Sequence, residues 1–259
     1  MELLTAAIIA IGLNLLLFIP AFIFKTDKLT DLSYALSFFI VGLVLFGMSA
    51  QLPAQLILLL MIFLWSLRLG TYLFIRIRKI KRDKRFDGMR ESFPRFLRFW
   101  LLQGISVFLI LIPSAYFFSA EGVTFTTLSV AGLVVWALGL LVEAVADYQK
   151  YTFINNEAHK GKWIDSGLWK YSQHPNYFGE ITLWLGVYLF TLPALSGASV
   201  FIAFISPLYI ATIILFVSGI PLLDKGALKL WGDNPAYLEY RKRTSKLILW
   251  FQRKNEDDK

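Results

Sequence analysis

Long apolar runs alternate with shorter polar connections along the chain. Each run is close to the roughly 20 residues that an α-helix needs to cross a bilayer. The runs cover residues 3–24, 33–50, 54–75, 99–119, 125–146, 177–194 and 199–219. The pattern therefore predicts an all-α integral membrane protein with seven transmembrane helices.

The positively charged residues fall in alternate connections between these runs. Of the 26 Lys and Arg residues, segments 25–32, 76–98, 147–176 and 220–259 contain 2, 10, 4 and 9, and the remaining one is Arg68. The connections on the opposite side contain none. Because cytoplasmic segments collect Lys and Arg, we expect the N-terminus outside and the C-terminus in the cytoplasm.

The composition fits a single membrane domain over residues 1–259. Apolar residues make up 57% of the chain, and its mean hydropathy is +0.59. Segments 76–98 and 147–176 are then cytoplasmic loops, and 220–259 is a basic amphipathic tail, which predicts a helix on the membrane surface. Pro221 is expected to end or kink the seventh helix.

Residue types that the chain lacks exclude several kinds of site. With no Cys and only two His, disulfides and thiol catalysis are excluded and a zinc site is not expected. The net charge of +8 comes from clusters such as "RIRKIKRDKR" at 76–85. These clusters adjoin membrane ends, where anionic lipid is the usual partner, so we expect a lipid bilayer and no nucleic acid; phosphate binding by this cluster stays open. The absence of Cys fits a bacterial inner membrane.

Ionisable residues inside the apolar runs are candidates for function, because a charged group in a bilayer is costly. Arg68 lies in the third run, with Tyr72 and Arg76 on the same helical face. Glu143 and Asp147 lie one turn apart at the end of the fifth run and need a cation or hydrogen-bond donors nearby. The structural alternatives are an ion pair between helices and a helix end that reaches water.

The segment "SGLWKYSQHPNYFGE" at 166–180 places polar chemistry directly before the sixth run. Pro175 suits the first turn of a helix, so we expect the sixth helix to begin between His174 and Asn176. Asn176 and Glu180 then share one face, and the helix N-terminus favours an anion. The segment is typical of a site for a flat, phosphorylated ligand at the cytoplasmic membrane surface, although an aromatic belt would explain its aromatic residues alone.

Three stretches carry a resemblance to a known family. They are "DYQKYTFINN", "GKWIDSGLWKYSQHPNYFGE" and "IPLLDKGALKLWGDNPAYLEYRKRT". Together they resemble the DUF1295 branch of the steroid 5-alpha-reductase superfamily, which comprises polytopic NADPH-dependent enzymes that reduce a carbon–carbon double bond conjugated to a ketone. The resemblance covers residues 143–250 well and extends more weakly towards the N-terminus.

The resemblance implies a cytoplasm-facing NADPH site at the end of the fifth helix and the start of the sixth. The tail lies on the same side, so closure over the ligand is an alternative to its interpretation as a membrane-surface helix. The residues implied in cofactor binding are Arg68, Arg76, Asp147, Lys162, Trp169, Tyr171, His174, Asn176, Tyr177, Glu180, Asp224 and Tyr240. Arg82 and Arg85 are further candidates for its phosphates.

Reduction of an enone places negative charge on the carbonyl oxygen, which an acid or a phenol must stabilise. In the steroid reductases a carboxylate early in the chain and a tyrosine on a following helix do this. By resemblance, Asp31 in "TDLSYA" supplies the carboxylate, and Tyr72 or Tyr34 supplies the phenol. The chain differs in having Asp instead of Glu and no His-Tyr pair in "LRLGTY", so the substrate is left open between a 3-oxo-4-ene steroid and another enone lipid.

A different chemistry is compatible with the same motif. "HPNYFG" also matches membrane methyltransferases of the isoprenylcysteine carboxyl methyltransferase type, which hold S-adenosylmethionine. The continuation to Glu180, the upstream "DYQK" and the seven runs favour the reductase. A transporter or lipid-binding scaffold would predict broken helices or repeated halves, which the sequence does not show. The sequence does not indicate an oligomeric state.

Overall fold

The computed structural model describes residues 2–79 and 86–253, without the side chains of residues 76–79. Within this part of the chain every regular element is helical, and the only pairing of extended backbone is a single bridge between Ser172 and Ser245. The predicted all-α class is therefore confirmed. The α-helices are α1 (Glu2–Ile23), α2 (Lys28–Met48), α3 (Pro53–Lys79), α4 (Phe93–Ser119), α5 (Thr127–Ile154), α6 (Pro175–Thr191), α7 (Ala198–Ala203), α8 (Ile205–Thr212), α9 (Ile220–Trp231) and α10 (Pro235–Arg243).

Six helical segments of the described chain are long and apolar enough to cross a membrane. They are α1, α2, α3 as far as Ile75, α4, α5 and the segment Ala198–Trp231. The chain is therefore an integral membrane protein by the length and composition of its helices. The sixth apolar run forms α6, which has 17 residues and is not among the six.

Helices α2, α4 and α5 extend furthest beyond the apolar runs that predict them. α2 begins at Lys28 instead of residue 33, α4 begins at Phe93 instead of 99, and α5 continues to Ile154 instead of ending at 146. Hydropathy marks only the part of a helix that suits lipid, whereas backbone hydrogen bonding continues into the polar flanks. At α4 the start is set locally, because a proline in the first turn needs no N–H partner.

The seventh apolar run is not one continuous helix. After α8 the backbone widens into a π-helical turn, Ile213–Val217, and the N–H of Ser218 donates to the carbonyl of Ile213. α9 starts immediately afterwards with Pro221 in its first turn, so the predicted interruption at this proline is confirmed. The tail accordingly consists of two helices, α9 and α10, followed by an extended segment up to Arg253, and not of one surface helix.

The chain divides into two compact units, which are described separately. Unit 1 comprises Met1–Gly132 and Val187–Ser206, and unit 2 comprises Leu133–Gly186 and Pro207–Lys259. In unit 1, α1 packs on α4 and α2, and α2 packs on α3 and α4. Its aromatic core includes Phe18, Phe96 and Trp100, whose rings meet edge to face.

Unit 1 also contains a group of buried polar side chains that links α1, α2 and α4. Gln103 on α4 donates from its Nε2 to Asn14 Oδ1 at 2.8 Å, to Ser33 Oγ at 2.8 Å and to the carbonyl of Thr30 at 3.0 Å. Asn14 in turn donates to Ser37 Oγ at 3.0 Å. We refer to Asn14, Thr30, Ser33, Ser37 and Gln103 as the Gln103 cluster. Its members are paired with one another, which is how polar groups stabilise helix contacts inside a membrane.

In unit 2, α5 and α6 meet at two glycines. A Cβ atom on Gly139 would lie 2.5 Å from the backbone nitrogen of Leu183, and a Cβ atom on Gly179 would lie 2.6 Å from that of Glu143. Any side chain larger than hydrogen would therefore push backbone against backbone. The two helices approach this closely only because both positions are glycine.

Candidate functional site

The site in unit 2 is built around the start of α6. The helix begins at Pro175, as predicted, and the carbonyl of His174 accepts the hydrogen bond from the N–H of Phe178. The tail holds the preceding loop: the N–H of Gln173 donates to the carbonyl of Ser245 at 2.8 Å, and its Nε2 donates to that of Thr244, also at 2.8 Å. The loop and the tail therefore fix the position of His174 together.

A cavity of about 330 Å³ opens beside His174, and we call it the α6 cavity. Its volume lies at the lower end of the range of small-molecule sites. Six of its lining residues are aromatic: Phe153, Trp163, Trp169, Trp231, Tyr237 and Tyr240. Three of these rings, those of Trp163, Trp231 and Tyr237, contact one another at centroid distances of 5.2 to 6.2 Å. Such walls suit a flat ring system.

Trp169 is held in the wall by contacts on every side. Its indole Nε1 donates to the carbonyl of Ala146 at 3.1 Å, and its own carbonyl accepts from the hydroxyl of Tyr240 at 2.8 Å. The ammonium of Lys150 lies 5.2 Å from the centre of the indole ring. Burial raises the pKa of Tyr240, so its phenol remains a hydrogen-bond donor at neutral pH.

Asp224, near the start of α9, gathers three side chains at the cavity. Its Oδ2 lies 3.2 Å from an Arg241 nitrogen and 3.1 Å from the Lys246 ammonium, and its Oδ1 lies 3.4 Å from His174 Nε2. The carboxylate is only 17% exposed. Two cations therefore neutralise one carboxylate, and the surroundings retain a positive charge.

His174 is an uncharged member of this group. Burial lowers the pKa of its imidazole to about 4, against an opposing effect of the Asp224 charge, so the ring is neutral at pH 7. Both ring nitrogens are buried and make no well-aligned hydrogen bond to the described residues. The imidazole stacks on Tyr177 at a centroid distance of 5.8 Å. A neutral imidazole with unused donor and acceptor capacity is suited to a polar group of a ligand.

A second polar pair links α5 to α6. Asn176 donates from its Nδ2 to Asp147 Oδ1 at 3.1 Å, while its own Oδ1 is buried and receives no hydrogen bond from the described residues. Glu143 and Asp147, predicted on one face of the fifth helix, are both buried. Glu180 follows Asn176 by one turn of α6. The resemblance implied Asp147, Asn176 and Glu180 in one cofactor site, and the structure joins Asp147 to Asn176 directly.

The structure distributes the other predicted site residues in three ways. The α6 cavity is lined by Lys162, Trp169, His174, Asp224 and Tyr240, all of which were predicted. Tyr171 is different: its ring packs against Phe251 of the tail and is not part of the cavity wall. The side chains of Arg76, Arg82 and Arg85 lie outside the described residues.

The residues predicted to act on the substrate belong to unit 1. Asp31 is in the first turn of α2, and the ring of Tyr34 lies edge-on to Phe38 at 5.0 Å. Tyr72 on α3 is half-buried, as is Arg68 one turn before it, which belongs to the same unit but was predicted to bind the cofactor. Their role stays a prediction.

Sequence reasoning did not assign four contributors to the site. Lys150 was noted on the acidic stripe of the fifth helix but not placed in the site, and Trp163, Arg241 and Lys246 were not identified. The last two contact Asp224 from 17 and 22 positions further along the chain. A local motif does not predict contacts of that separation, although the excess of cations in the tail was a usable signal.

Comparison with known proteins places the chain in a family. A search of the curated proteins and a search of the solved structures each give no significant match. A sequence model of one family, described as protein of unknown function (DUF1295), matches residues 17–244, which include every lining residue of the α6 cavity and all of the Gln103 cluster except Asn14. The chain, an all-helical membrane protein with a polar cavity at the start of α6, is a member of the DUF1295 family.

Proposed function

We propose that this protein is a membrane-embedded oxidoreductase that transfers hydride from NADPH to the C=C bond of an enone lipid, such as a 3-oxo-4-ene steroid. The observation that carries the proposal is the α6 cavity, which combines aromatic side chains, an excess of cations and buried nitrogen atoms to which the described residues make no well-aligned hydrogen bond. Membership of the steroid 5-alpha-reductase superfamily is part of the proposal and rests on the sequence resemblance.

The residues of the α6 cavity fit the parts of NADPH. When bound, this cofactor supplies the hydride. Trp163, Trp231 and Tyr237 offer faces and edges for a nicotinamide or adenine ring. Lys150 and Lys162 line the same cavity and would bind its phosphates through charge-assisted hydrogen bonds.

Electrostatics favour NADPH over S-adenosylmethionine. Lys150 and Lys162 line the cavity, and Asp224 is the only carboxylate among its described lining residues. Arg241 and Lys246 both contact this carboxylate. NADPH carries several phosphate charges, whereas the sulfonium of S-adenosylmethionine is positive. A cationic site attracts the first ligand and repels the reactive centre of the second. The methyltransferase alternative is favoured by the "HPNYFG" motif alone.

His174 and Asn176 would orient the ligand. The neutral His174 ring can donate from one nitrogen and accept at the other, which matches a carboxamide better than a phosphate. The buried Oδ1 of Asn176 accepts a hydrogen bond, and the contact with Asp147 fixes the direction of this amide. Both residues are close to the start of α6, so they move together with that helix.

Polarisation of the substrate carbonyl is assigned to Asp31, with Tyr72 or Tyr34. Negative charge develops on this oxygen during hydride transfer, and a donor that meets it lowers the barrier. This assignment rests on the resemblance, as does the placing of Arg68 and Arg76 near the cofactor phosphates.

The proposal includes a topology. α6 would be the sixth of seven spans, with the N-terminus outside, the C-terminus in the cytoplasm and the α6 cavity facing the cytoplasm. The distribution of Lys and Arg along the chain supports this orientation. We place the protein in a bacterial inner membrane, where its basic segments meet anionic lipid and not nucleic acid.

Ligand-induced thermal stabilisation tests the proposed cofactor. NADPH should raise the melting temperature of the detergent-purified protein more than NADH or S-adenosylmethionine, because a ligand bound only by the folded state stabilises it. The double variant Lys150→Gln/Lys162→Gln should bind NADPH about tenfold more weakly. The matched control Lys25→Gln/Lys160→Gln removes the same charge from exposed positions outside the cavity and should bind NADPH normally. Stabilisation by S-adenosylmethionine alone would contradict the proposal.

A second measurement separates cofactor binding from turnover. Asp31→Asn should bind NADPH like the parent protein and oxidise it more slowly when an enone steroid is supplied. Equal loss of binding and turnover would show that Asp31 is misassigned.

A further inference from the structure

The end of the tail forms a second concave site, which we call the tail groove. It encloses about 540 Å³ and is lined by residues 241–246 together with Gln173, Ile248, Trp250, Phe251 and Arg253. The NADPH proposal makes no use of it. It shares only Gln173 with the lining of the α6 cavity.

Hydrogen bonds hold the groove in one shape. Ser172 Oγ donates to the carbonyl of Leu247 at 2.6 Å, and the N–H of Trp250 donates to the carbonyl of Tyr171 at 3.2 Å. At its far end, the N–H of Arg253 donates to the carbonyl of Arg243 at 3.0 Å. The extended segment therefore folds back on the end of α10 and closes the groove.

The described wall of the tail groove is cationic. It contains Arg241, Lys242, Arg243, Lys246 and Arg253, and none of its described residues is acidic. Two nearby carboxylates take part of this charge, since Asp224 contacts Arg241 and Lys246, and Glu239 contacts Arg243. Among the described residues, five cations therefore face two carboxylates, which leaves an excess of three positive charges; Lys242 and Arg253 carry two of these at exposed positions.

Large apolar side chains stand beside these cations. Ile248, Trp250 and Phe251 are 57%, 67% and 77% exposed. Exposed aromatic residues next to Lys and Arg are typical of segments that lie at the boundary between lipid headgroups and acyl chains. A soluble anion would use the cations but would leave these three side chains in water.

In the sequence, the residues of the groove follow closely after a candidate membrane span. The candidate span Ala198–Trp231 ends with α9, and only Gly232 to Asn234 separate it from α10. Three residues reach at most about 11 Å. α10, whose last turn provides three of the cations, is thus tethered next to the end of a span.

We propose that the tail groove binds the phosphate headgroups of anionic phospholipids, while Ile248, Trp250 and Phe251 insert between the acyl chains. The charge of the groove selects anionic over zwitterionic lipid, and the apolar side chains select lipid over a free phosphate. This site is additional to the proposed NADPH site.

Lipid retention in native mass spectrometry tests the groove. The full-length detergent-purified protein is delipidated and mixed with phosphatidylglycerol or phosphatidylcholine of identical acyl chains. The parent protein should retain phosphatidylglycerol preferentially, and Lys242→Gln/Arg253→Gln should lower that retention about tenfold. Lys25→Gln/Lys160→Gln, with the same net charge, should retain it as the parent does. Melting temperatures show that each variant is folded.

Three outcomes would overturn the inference. The first is equal retention of both lipids by the parent protein. The second is displacement of phosphatidylglycerol by inorganic phosphate at an equal phosphate concentration, which would identify a soluble anion as the ligand. The third is loss of NADPH stabilisation, with unchanged lipid retention, in Lys242→Gln/Arg253→Gln. If Lys242→Gln/Arg253→Gln loses lipid retention but keeps normal NADPH stabilisation, the result supports the tail groove as the lipid site. The NADPH proposal is tested separately by the variants of the α6 cavity.

Discussion

Two buried polar regions of this protein differ in how completely their groups are paired. In the Gln103 cluster of unit 1, the amide nitrogens of Asn14 and Gln103 each donate to more than one acceptor on a neighbouring helix or on their own. In the α6 cavity of unit 2, the described residues offer no hydrogen bond to the buried Nδ1 of His174 or Nε1 of Trp163, and His174 Nε2 has only a long, poorly aligned contact with Asp224 at 3.4 Å. In the first region the polar groups therefore form hydrogen bonds with one another. In the second region the buried polar groups need hydrogen bonds from another molecule.

The difference indicates what each region does. A polar group buried without a partner costs free energy, so a protein retains one only where another interaction compensates for it. The Gln103 cluster has the properties of a structural hydrogen-bond network that stabilises the contacts between helices. The α6 cavity has the properties of a site in which the ligand supplies the missing hydrogen bonds.

The largest effect should come from the glycine crossing that supports the α6 cavity. In Gly179→Ala the new methyl group would lie 2.6 Å from the backbone nitrogen of Glu143, so α5 and α6 must separate. We expect a loss of about 3 kcal/mol or more in the free energy of unfolding, together with loss of NADPH stabilisation, measured by thermal melting. Gly12→Ala is the control, because no atom lies within 4 Å of its added Cβ, and it should be neutral or stabilising. Equal melting of both variants with the parent would refute the close crossing.

Lowering the pH should affect the cavity almost as strongly. Burial holds the pKa of His174 near 4 in the folded state, while the unfolded state takes up a proton near pH 6.5. The contribution to stability is complete above pH 6.5 and is lost as the pH falls towards 4, by up to about 3 kcal/mol. Melting curves of the parent protein and His174→Gln across this window measure it. A parallel pH dependence in both proteins would show that His174 does not contribute.

Breaking the paired region should weaken the fold and spare the ligand. Gln103→Leu removes three buried hydrogen bonds, and we expect a cost of about 2 kcal/mol, since such bonds inside membranes contribute somewhat less than one each on average. NADPH affinity should not change. Ser106→Ala on the same helix, which removes an exposed hydroxyl, is the control in the melting experiment. A fall in NADPH affinity would contradict the assignment of a purely structural role to the Gln103 cluster.

The smallest effect should come from Asn176→Ala. This change removes the hydrogen bond to Asp147 and should weaken NADPH binding about fivefold, or about 1 kcal/mol, in a titration of the purified protein. Asn155→Ala removes an amide that bonds within its own helix end and serves as the control. Unchanged affinity in Asn176→Ala would exclude the α5–α6 polar pair from the site.

Features set by neighbouring residues were predictable from the sequence. Pro175 and Pro221 mark the starts of α6 and α9, because the missing N–H of proline costs no hydrogen bond in the first turn of a helix. Asp147 and Asn176 were placed in one site by the family resemblance, which rests on local motifs of the sequence, and the structure joins them.

Features that depend on tertiary contacts were not predictable. Gln103 is 89 positions from Asn14, and Lys246 is 22 positions from Asp224, so neither contact leaves a local pattern. The π-helical turn before α9 was also missed, because every residue from Ile213 to Val217 is apolar and suits an ordinary spanning helix equally well.

The contact between Gly139 and Gly179 also indicates which positions of α5 evolution or protein engineering can change and which they cannot. Because backbone meets backbone there, the spacing of Asp147 and Asn176 does not depend on the size of any intervening side chain. Outward positions on α5, such as Leu138 and Leu141 at 56% and 60% exposure, can vary among apolar residues to suit membranes of different composition. The protein can thus adapt its lipid-facing surface without altering the geometry of its site.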